Sequence, residues 1–365
     1  MSITSVGNTP KLFQPYTLRS LTLRNRIVVA PMAQYSSVDG FANDWHLVHL
    51  GSFAVGGAAL VMQEGTAVEA QGRTTLDDMG IYRDEHIEML SHITSFIRER
   101  GALAGIELSH AGGKGSSTGH RKGTRFGLAP EDGGWQTVAP SAIAFADNYP
   151  TPIALTKNEI AKIVQRFAEG AQRSVAAGFQ VIELLAGHGY LLHQFLSPLS
   201  NQRNDEYGGS LYNRMRFLLE ITDAVRQVMP EELPLLVRIS ATDWLEEGGV
   251  TLAESIEIAR ELKKHHVDLI EVSTGGNSKD ATRIPVGPGY QVPFAEAIRR
   301  EAQIPTGAVG MITQSQQANT ILQQEQADLI FIAREFLRDP HWPLRAAHEL
   351  SYDIAWPWQY MRARP

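Results

Sequence analysis

The chain contains no cysteine, which excludes a disulfide framework, a thiolate metal site and a thiol nucleophile. It also lacks any block of like charge. Its 33 basic and 40 acidic side chains are interspersed and sum to a formal charge of −7. That balance argues against nucleic acid and anionic membrane as partners. No apolar run approaches ~18 residues, the length of a membrane span. The opening Met1-Ser-Ile-Thr-Ser-Val-Gly-Asn8 has no signal-peptide core. A soluble, cytoplasmic protein is expected. The length of 365 residues, with 43% apolar content, allows one barrel-sized domain or two ordinary ones. Internal repeats, low-complexity tracts and linkers are all missing, so a single domain over 1–365 is expected.

What is present is an alternation. Eight short apolar runs can be read: Arg26–Met32, Ala58–Met62, Leu103–Leu108, Gln180–Ala186, Leu235–Ile239, Val267–Ser273, Ile304–Val309 and Ala327–Ile332. Each is followed by a helix-patterned segment. Two helix starts carry a capping-box signature, Thr156 with Glu159 and Thr251 with Glu254. Eight such pairs are the count of a (β/α)8 TIM barrel in the α/β class. A doubly wound sheet would place Gly-x-Gly-x-x-Gly after an early strand, and no run here is followed by one. His110-Ala-Gly-Gly-Lys-Gly-Ser116 lacks the spacing of a phosphate loop. It opens an excursion over about 110–155, and an aromatic tail occupies about 351–365.

In a barrel the carboxyl ends of the strands meet at one mouth, where enzymes of this fold keep their chemistry. The residues gathered there include Pro31, Met32, Ala33, Tyr35, Glu64, Gly65, Glu107, His110, His188, Tyr190, Arg238, Ser273, Gly310, Ala333 and Arg334. His188 can donate to a carbonyl oxygen and Tyr190 can deliver a proton. Gly310, Ala333 and Arg334 follow runs seven and eight, the usual phosphate site of the fold. Arg238 brings a fixed cation suited to the electron-rich edge of a flavin.

These residues sit in motifs that resemble the Old Yellow Enzyme family of FMN-dependent ene-reductases, in its thermophilic-like (YqjM or xenobiotic reductase) branch. The matching stretches are Lys11-Leu-Phe-Gln-Pro15, Ala30-Pro-Met32, His188-Gly-Tyr-Leu-Leu-His-Gln-Phe-Leu-Ser-Pro198, Arg203-Asn-Asp-Glu-Tyr-Gly-Gly-Ser210, Leu236-Val-Arg238, Gly310-Met-Ile-Thr313 and Ala333-Arg-Glu-Phe-Leu-Arg-Asp-Pro340. The resemblance implies FMN at the mouth, held by Pro31, Met32, Ala33, Gly65, Glu107, Arg238, Gly310, Ala333 and Arg334. It implies NAD(P)H as reductant and an activated alkene as substrate. Hydride would come from flavin N5, the proton from Tyr190, and a grip on the substrate oxygen from His188. Tyr35 and Leu185 would line the substrate pocket. Arg362, in Trp358-Gln-Tyr-Met-Arg362, would reach a neighbouring protomer's site, which implies a homodimer or a dimer-based tetramer.

The departures from the branch pattern cluster at the same site. The branch has Cys at Ala33, His at Leu185, Gln at Glu107, Ala at Gly65 and Gly187, Gly at Ala333 and Arg at Gly113. Losing one preorganised oxyanion donor typically costs ~10²–10³ in rate, so Leu185 leaves open different FMN chemistry: a dehydrogenase, a double-bond isomerase or an O₂-using oxidase. A non-catalytic flavin-binding relative is a third reading. Glu107 either lowers the flavin potential or is itself held protonated, unless pairing with Arg238 cancels its effect. Elsewhere, His46 and His49 have metal-like spacing but read as structural, and no metal is expected. His265 and His266 end a helix, Ser197 and Ser200 lack a nucleophile elbow, and Trp356 and Trp358 suit tail packing or a subunit interface.

Overall fold

The computed structural model describes residues 9–119, 123, 126–280 and 283–365. The opening segment read above for a signal peptide, residues 1–8, lies outside them. The eight apolar runs become eight parallel strands: β1 (Ile27–Val29), β2 (Leu60–Ala67), β3 (Leu103–Ser109), β4 (Val181–Ala186), β5 (Leu235–Ser240), β6 (Leu269–Ser273), β7 (Thr306–Ala308) and β8 (Leu329–Ile332). Each pairs with the next and β8 pairs with β1, closing a barrel. Strands buried on both faces read as continuous apolar runs rather than alternating ones, and β4, β5 and β6 are buried at every position.

Helices α1 (Asp44–Val55), α2 (Ile87–Glu99), α3 (Lys157–Ala176), α4 (Leu191–Leu196), α5 (Leu211–Val228), α6 (Leu252–Lys264), α7 (Val292–Ala302), α8 (Ser315–Gln323), α9 (Arg334–Arg338) and α10 (Trp342–Glu349) fill the connections. The segments after β4 and after β8 each hold two helices where one was read. Both capping boxes form, with Thr156 accepting from Glu159 N–H and Thr251 from Glu254 N–H. Thr156→Ala is expected to lower stability by about 1 kcal/mol, measurable by urea unfolding. His46 completes a box with Asn43 at the start of α1. No group of three metal-ligating side chains occurs among the described residues, and none of the described helices is long and apolar enough to cross a membrane.

A hairpin of Tyr16–Leu18 and Leu21–Leu23 plugs the amino-terminal end of the barrel. Leu18 and Leu23 join Val28, Leu60, Val181, Leu236, Leu269 and Leu329 in the interior cluster. Arg19 fixes the plug with two bonds of 2.8 Å to the Asp268 carboxylate. The open end is therefore the carboxyl end. There β2 runs past Met62 to Ala67, with a register shift between Gln63 and Thr66. Bulges re-aim side chains beside active sites, and this one carries Glu64 and Gly65.

Candidate functional site

β4 ends at Ala186, and the turn that follows carries His188 and Tyr190. His188 has a φ of 56°, a left-handed conformation that is costly unless its surroundings hold it. Its N–H donates to Ser240 Oγ at 2.8 Å, and its carbonyl accepts from Lys114 Nζ at 2.8 Å. The turn presses against the loop after β6. A Cβ on Gly276 would lie 2.6 Å from His188 Cα, and one on Gly189 would lie 2.2 Å from the Gly276 oxygen. Only glycine fits either place.

Burial, and then the positive charges of Arg238 and Lys114, push the His188 imidazole well below the usual histidine range. It is neutral at pH 7 and keeps one N–H. Its Nε2 stands 2.8 Å from Ser273 Oγ, so Ser273 decides which ring nitrogen carries the proton. Tyr190 caps α4. Its N–H donates to the Gly187 carbonyl at 3.1 Å, and its carbonyl accepts from Gln194 N–H at 2.8 Å.

Lys114, which the sequence reading passed over, ties these pieces together. Its ammonium donates to the carbonyls of His188 and Gly276, at 2.8 and 2.7 Å. It also lies 5.3 Å from the Tyr190 ring centroid and 4.4 Å from that of Phe145. Gln194 pins the same loop from below, accepting from Gly113 N–H and donating to the Gly189 carbonyl. Under the turn, His193 Nδ1 accepts from Gly189 N–H, leaving Nε2 to carry the proton, 3.2 Å from buried Asp243. Burial pulls Asp243 upward, but His193, Ser197 and the Val250 N–H hold it below its usual value. Ser197 donates to this carboxylate at 2.6 Å, a structural role in keeping with its missing elbow. His265 likewise closes α6 by pairing with Asp223 at 2.6 Å.

Two adjoining cavities occupy the mouth. One of about 160 Å³ is lined by Pro31, Ala33, Gly65, Glu107, Leu185, His188, Tyr190 and Arg238. The other, of about 250 Å³, is lined by His188, Arg238, Ser273, Tyr290, Gln291, Gly310, Ala333 and Arg334. His188 and Arg238 belong to both. Met32, Tyr35 and Arg362 lie outside both linings; Arg362 is exposed on the short helix Trp358–Ala363. Glu64 turns away to accept from Gln34 N–H at 2.6 Å, and His110 pairs with Glu69 at 2.8 Å.

The departures interlock. A Cβ at Gly65 would stand 3.1 Å from Glu107 Oε2, so the alanine methyl of the branch would crowd a carboxylate that glycine leaves open to the cavity. Ala333 has a φ of −108°, outside the positive range that calls for glycine. Arg238 donates from Nη1 to Glu107 Oε1 at 3.2 Å. Burial opposes its charge, but Glu271 and Glu107 hold it firmly protonated.

Comparison with known proteins gives a consistent picture. The family described as NADH:flavin oxidoreductase / NADH oxidase matches residues 11–353. An NADPH dehydrogenase of Geobacillus sp. (strain WCH70) is 48% identical over 353 residues, covering 96% of this chain and 98% of the relative. The NADPH dehydrogenase of Bacillus subtilis (strain 168) is 46% identical over 354 residues, with 96% and 98% covered. Morphinone reductase superimposes with a TM-score of 0.79 at 27% identity, covering 95% of this chain and 91% of that one. A 2-naphthoyl-CoA reductase complex gives 0.84 at 25% identity over 93% of this chain, which spans 52% of that larger protein.

The mouth fits FMN. Gly310, at φ 115°, leaves a cradle in which a Cβ would lie 2.7 Å from Gln291 Nε2, and exposed Arg334 borders the same cavity. Arg238 lines both cavities as a cation held protonated by Glu271 and Glu107, which suits the electron-rich edge of a flavin ring. A closed eight-stranded barrel, a glycine cradle beside an arginine, and near-complete matches over most of the chain all converge: this protein belongs to the NADH:flavin oxidoreductase / NADH oxidase family and is an FMN-dependent NAD(P)H oxidoreductase.

Proposed function

We propose that the protein reduces activated C=C bonds, with Tyr190 delivering the proton to the substrate's α-carbon and His188 gripping its electron-withdrawing oxygen. The observation that carries this reading is the shared 160 Å³ cavity. It sets Tyr190, neutral His188 and the apolar wall of Leu185 around one space beside Arg238. FMN, when bound, supplies hydride transfer from NAD(P)H to the alkene. The chain supplies the rest. Gly310, Ala333 and Arg334 bind phosphate, Pro31, Met32, Ala33, Gly65 and Glu107 border the ring, and Arg238 holds its pyrimidine end. A phenol is a fitting acid toward carbon when a donor stabilises the enolate that forms. With Leu185 in place of a second donor, His188 works alone, which favours strongly activated alkenes.

The NADPH dehydrogenase relatives favour this reading over isomerase or oxidase chemistry. Tyr35 is proposed to border the substrate. Arg362 is proposed to enter the site of a neighbouring protomer in a homodimer or dimer-based tetramer, in keeping with the exposed Trp358 and Tyr360 beside it. The assembly is proposed to be cytoplasmic.

Anaerobic rapid mixing tests the reading. NADPH should bleach the flavin, and cyclohexenone or maleimide should restore it; bleaching that no activated alkene reverses rules ene-reduction out. Lys114→Met is expected to slow the alkene half-reaction by up to roughly 10²-fold, because small displacements of a catalytic turn have costs of that order. Flavin content should be unchanged, as absorbance on the purified variant will report.

A further inference from the structure

Four adjacent strands each send one ionisable side chain into the barrel beneath the mouth. They are Glu107 on β3, Glu183 on β4, Arg238 on β5 and Glu271 on β6. Glu107 pairs in register with Glu183, and Arg238 with Glu271. Glu183 and Glu271 are 0% exposed, Glu107 3% and Arg238 8%. Three carboxyls thus share one guanidinium in a dry interior.

The contacts show how the charge is arranged. Arg238 donates an aligned bond to Glu107, while its Nε stands 3.2 Å from Glu271 Oε1 without a hydrogen bond. Neither oxygen of Glu183 has a hydrogen-bond partner. The two oxygens of Glu271 are unpartnered in the same way, and the groups that act on Glu183 are Glu271, Glu107 and Arg238. Full ionisation would leave two uncompensated negative charges where the protein cannot solvate them, and groups so placed neutralise instead.

We propose that Glu107, Glu183 and Glu271 form one proton-binding site under the flavin. Glu183 is its fixed carboxylic acid, and a second, exchangeable proton is shared between Glu271 and Glu107. In the two-proton state one carboxylate balances Arg238, and in the one-proton state the site is negative. Glu107 is the entry, because Gly65 leaves its Oε2 open to the cavity. Glu183 is a positioning residue that acts on the ring only through Glu107 and Arg238.

The charge environment is closed. The groups acting on these carboxyls are one another and Arg238, while His188 and Tyr290 sense Arg238 from the mouth. Burial and the neighbouring carboxyls raise Glu183 well above its ordinary value, and burial lifts Glu271 to about 7 against the pull of Arg238. Reduction by NAD(P)H brings in two electrons and one hydrogen nucleus as hydride, adding one negative charge to the site. One proton from bulk water, taken up on the triad, restores the balance.

This inference rests on the flavin-site reading for its role but not for its test, which is infrared titration of the purified holoenzyme. A protonated-carboxyl C=O band should persist at neutral pH, part of it disappearing as the pH rises through about 7. Glu183→Gln should remove the persistent part and Glu271→Gln the titrating part. The midpoint potential of the flavin should fall more steeply with pH in the parent than in Glu107→Gln. Absence of any protonated-carboxyl band at neutral pH in the parent overturns the proposal, even if no variant folds. So does a band unchanged by Glu183→Gln. Loss of ene-reductase activity alone moves none of these readouts, so failure of the substrate reading is recognisable separately.

Discussion

Tyr190→Phe is expected to slow reoxidation of the reduced enzyme by an activated alkene by roughly 10²–10⁴-fold, the range for a well-placed general acid. Bleaching of the flavin by NADPH should proceed at the parent rate. The two effects separate because the substitution removes one hydroxyl and leaves the frame intact. The backbone of residue 190 is fixed by the Gly187 carbonyl and by Gln194, and its ring lies beside Lys114; none of these contacts uses the phenol oxygen. Stopped-flow measurement of both half-reactions on one preparation decides the matter. If both rates equal those of the parent, the proton comes from elsewhere and Tyr190 is only a wall of the cavity.

Arg238→Met should produce the largest loss of stability, because it strips the cation from three buried carboxyls. Breaking a buried ion pair by removing one partner typically costs about 3–5 kcal/mol. The loss should depend on pH in a definite direction. Glu271 is already raised to about 7, above its unfolded value, so its favourable contribution is complete at acid pH and is lost as pH rises through the folded value. Without Arg238 the carboxyls rise further, and the stability difference from the parent should widen from pH 5 to pH 8. Urea unfolding at several pH values, followed by tryptophan fluorescence, measures it. A deficit that is constant across that range would mean the carboxyls do not titrate with the cation. Flavin content should fall as well, since Arg238 borders both cavities.

Much of the fold was legible because a parallel strand covered on both faces is apolar along its whole length, and that pattern is local. β2 shows where such reading stops. Its second half, Gln63 to Thr66, looks like a polar loop, yet Gln63, Glu64 and Thr66 are at most 4% exposed; the bulge hides them. Much of the mouth was legible too, since residues just after each strand must converge. Lys114 was not, because the carbonyls it binds lie 74 and 162 residues further along the chain. Glu183 and Glu271 did leave a signal. Ile106-Glu107-Leu108, Ile182-Glu183-Leu184 and Ile270-Glu271-Val272 are one motif repeated in three buried runs, and a charge in such a run calls for a partner.

The order of residues alone determined the eight-fold alternation, the caps that start its helices and the small residues and arginine that line the larger cavity of the mouth. These follow from side-chain periodicity and backbone freedom, which act over a few residues. Closure of the barrel decided what the inward charges mean. Whether a carboxyl is ionised depends on which groups face it across the interior, and strands distant in the chain become neighbours only when the sheet meets itself.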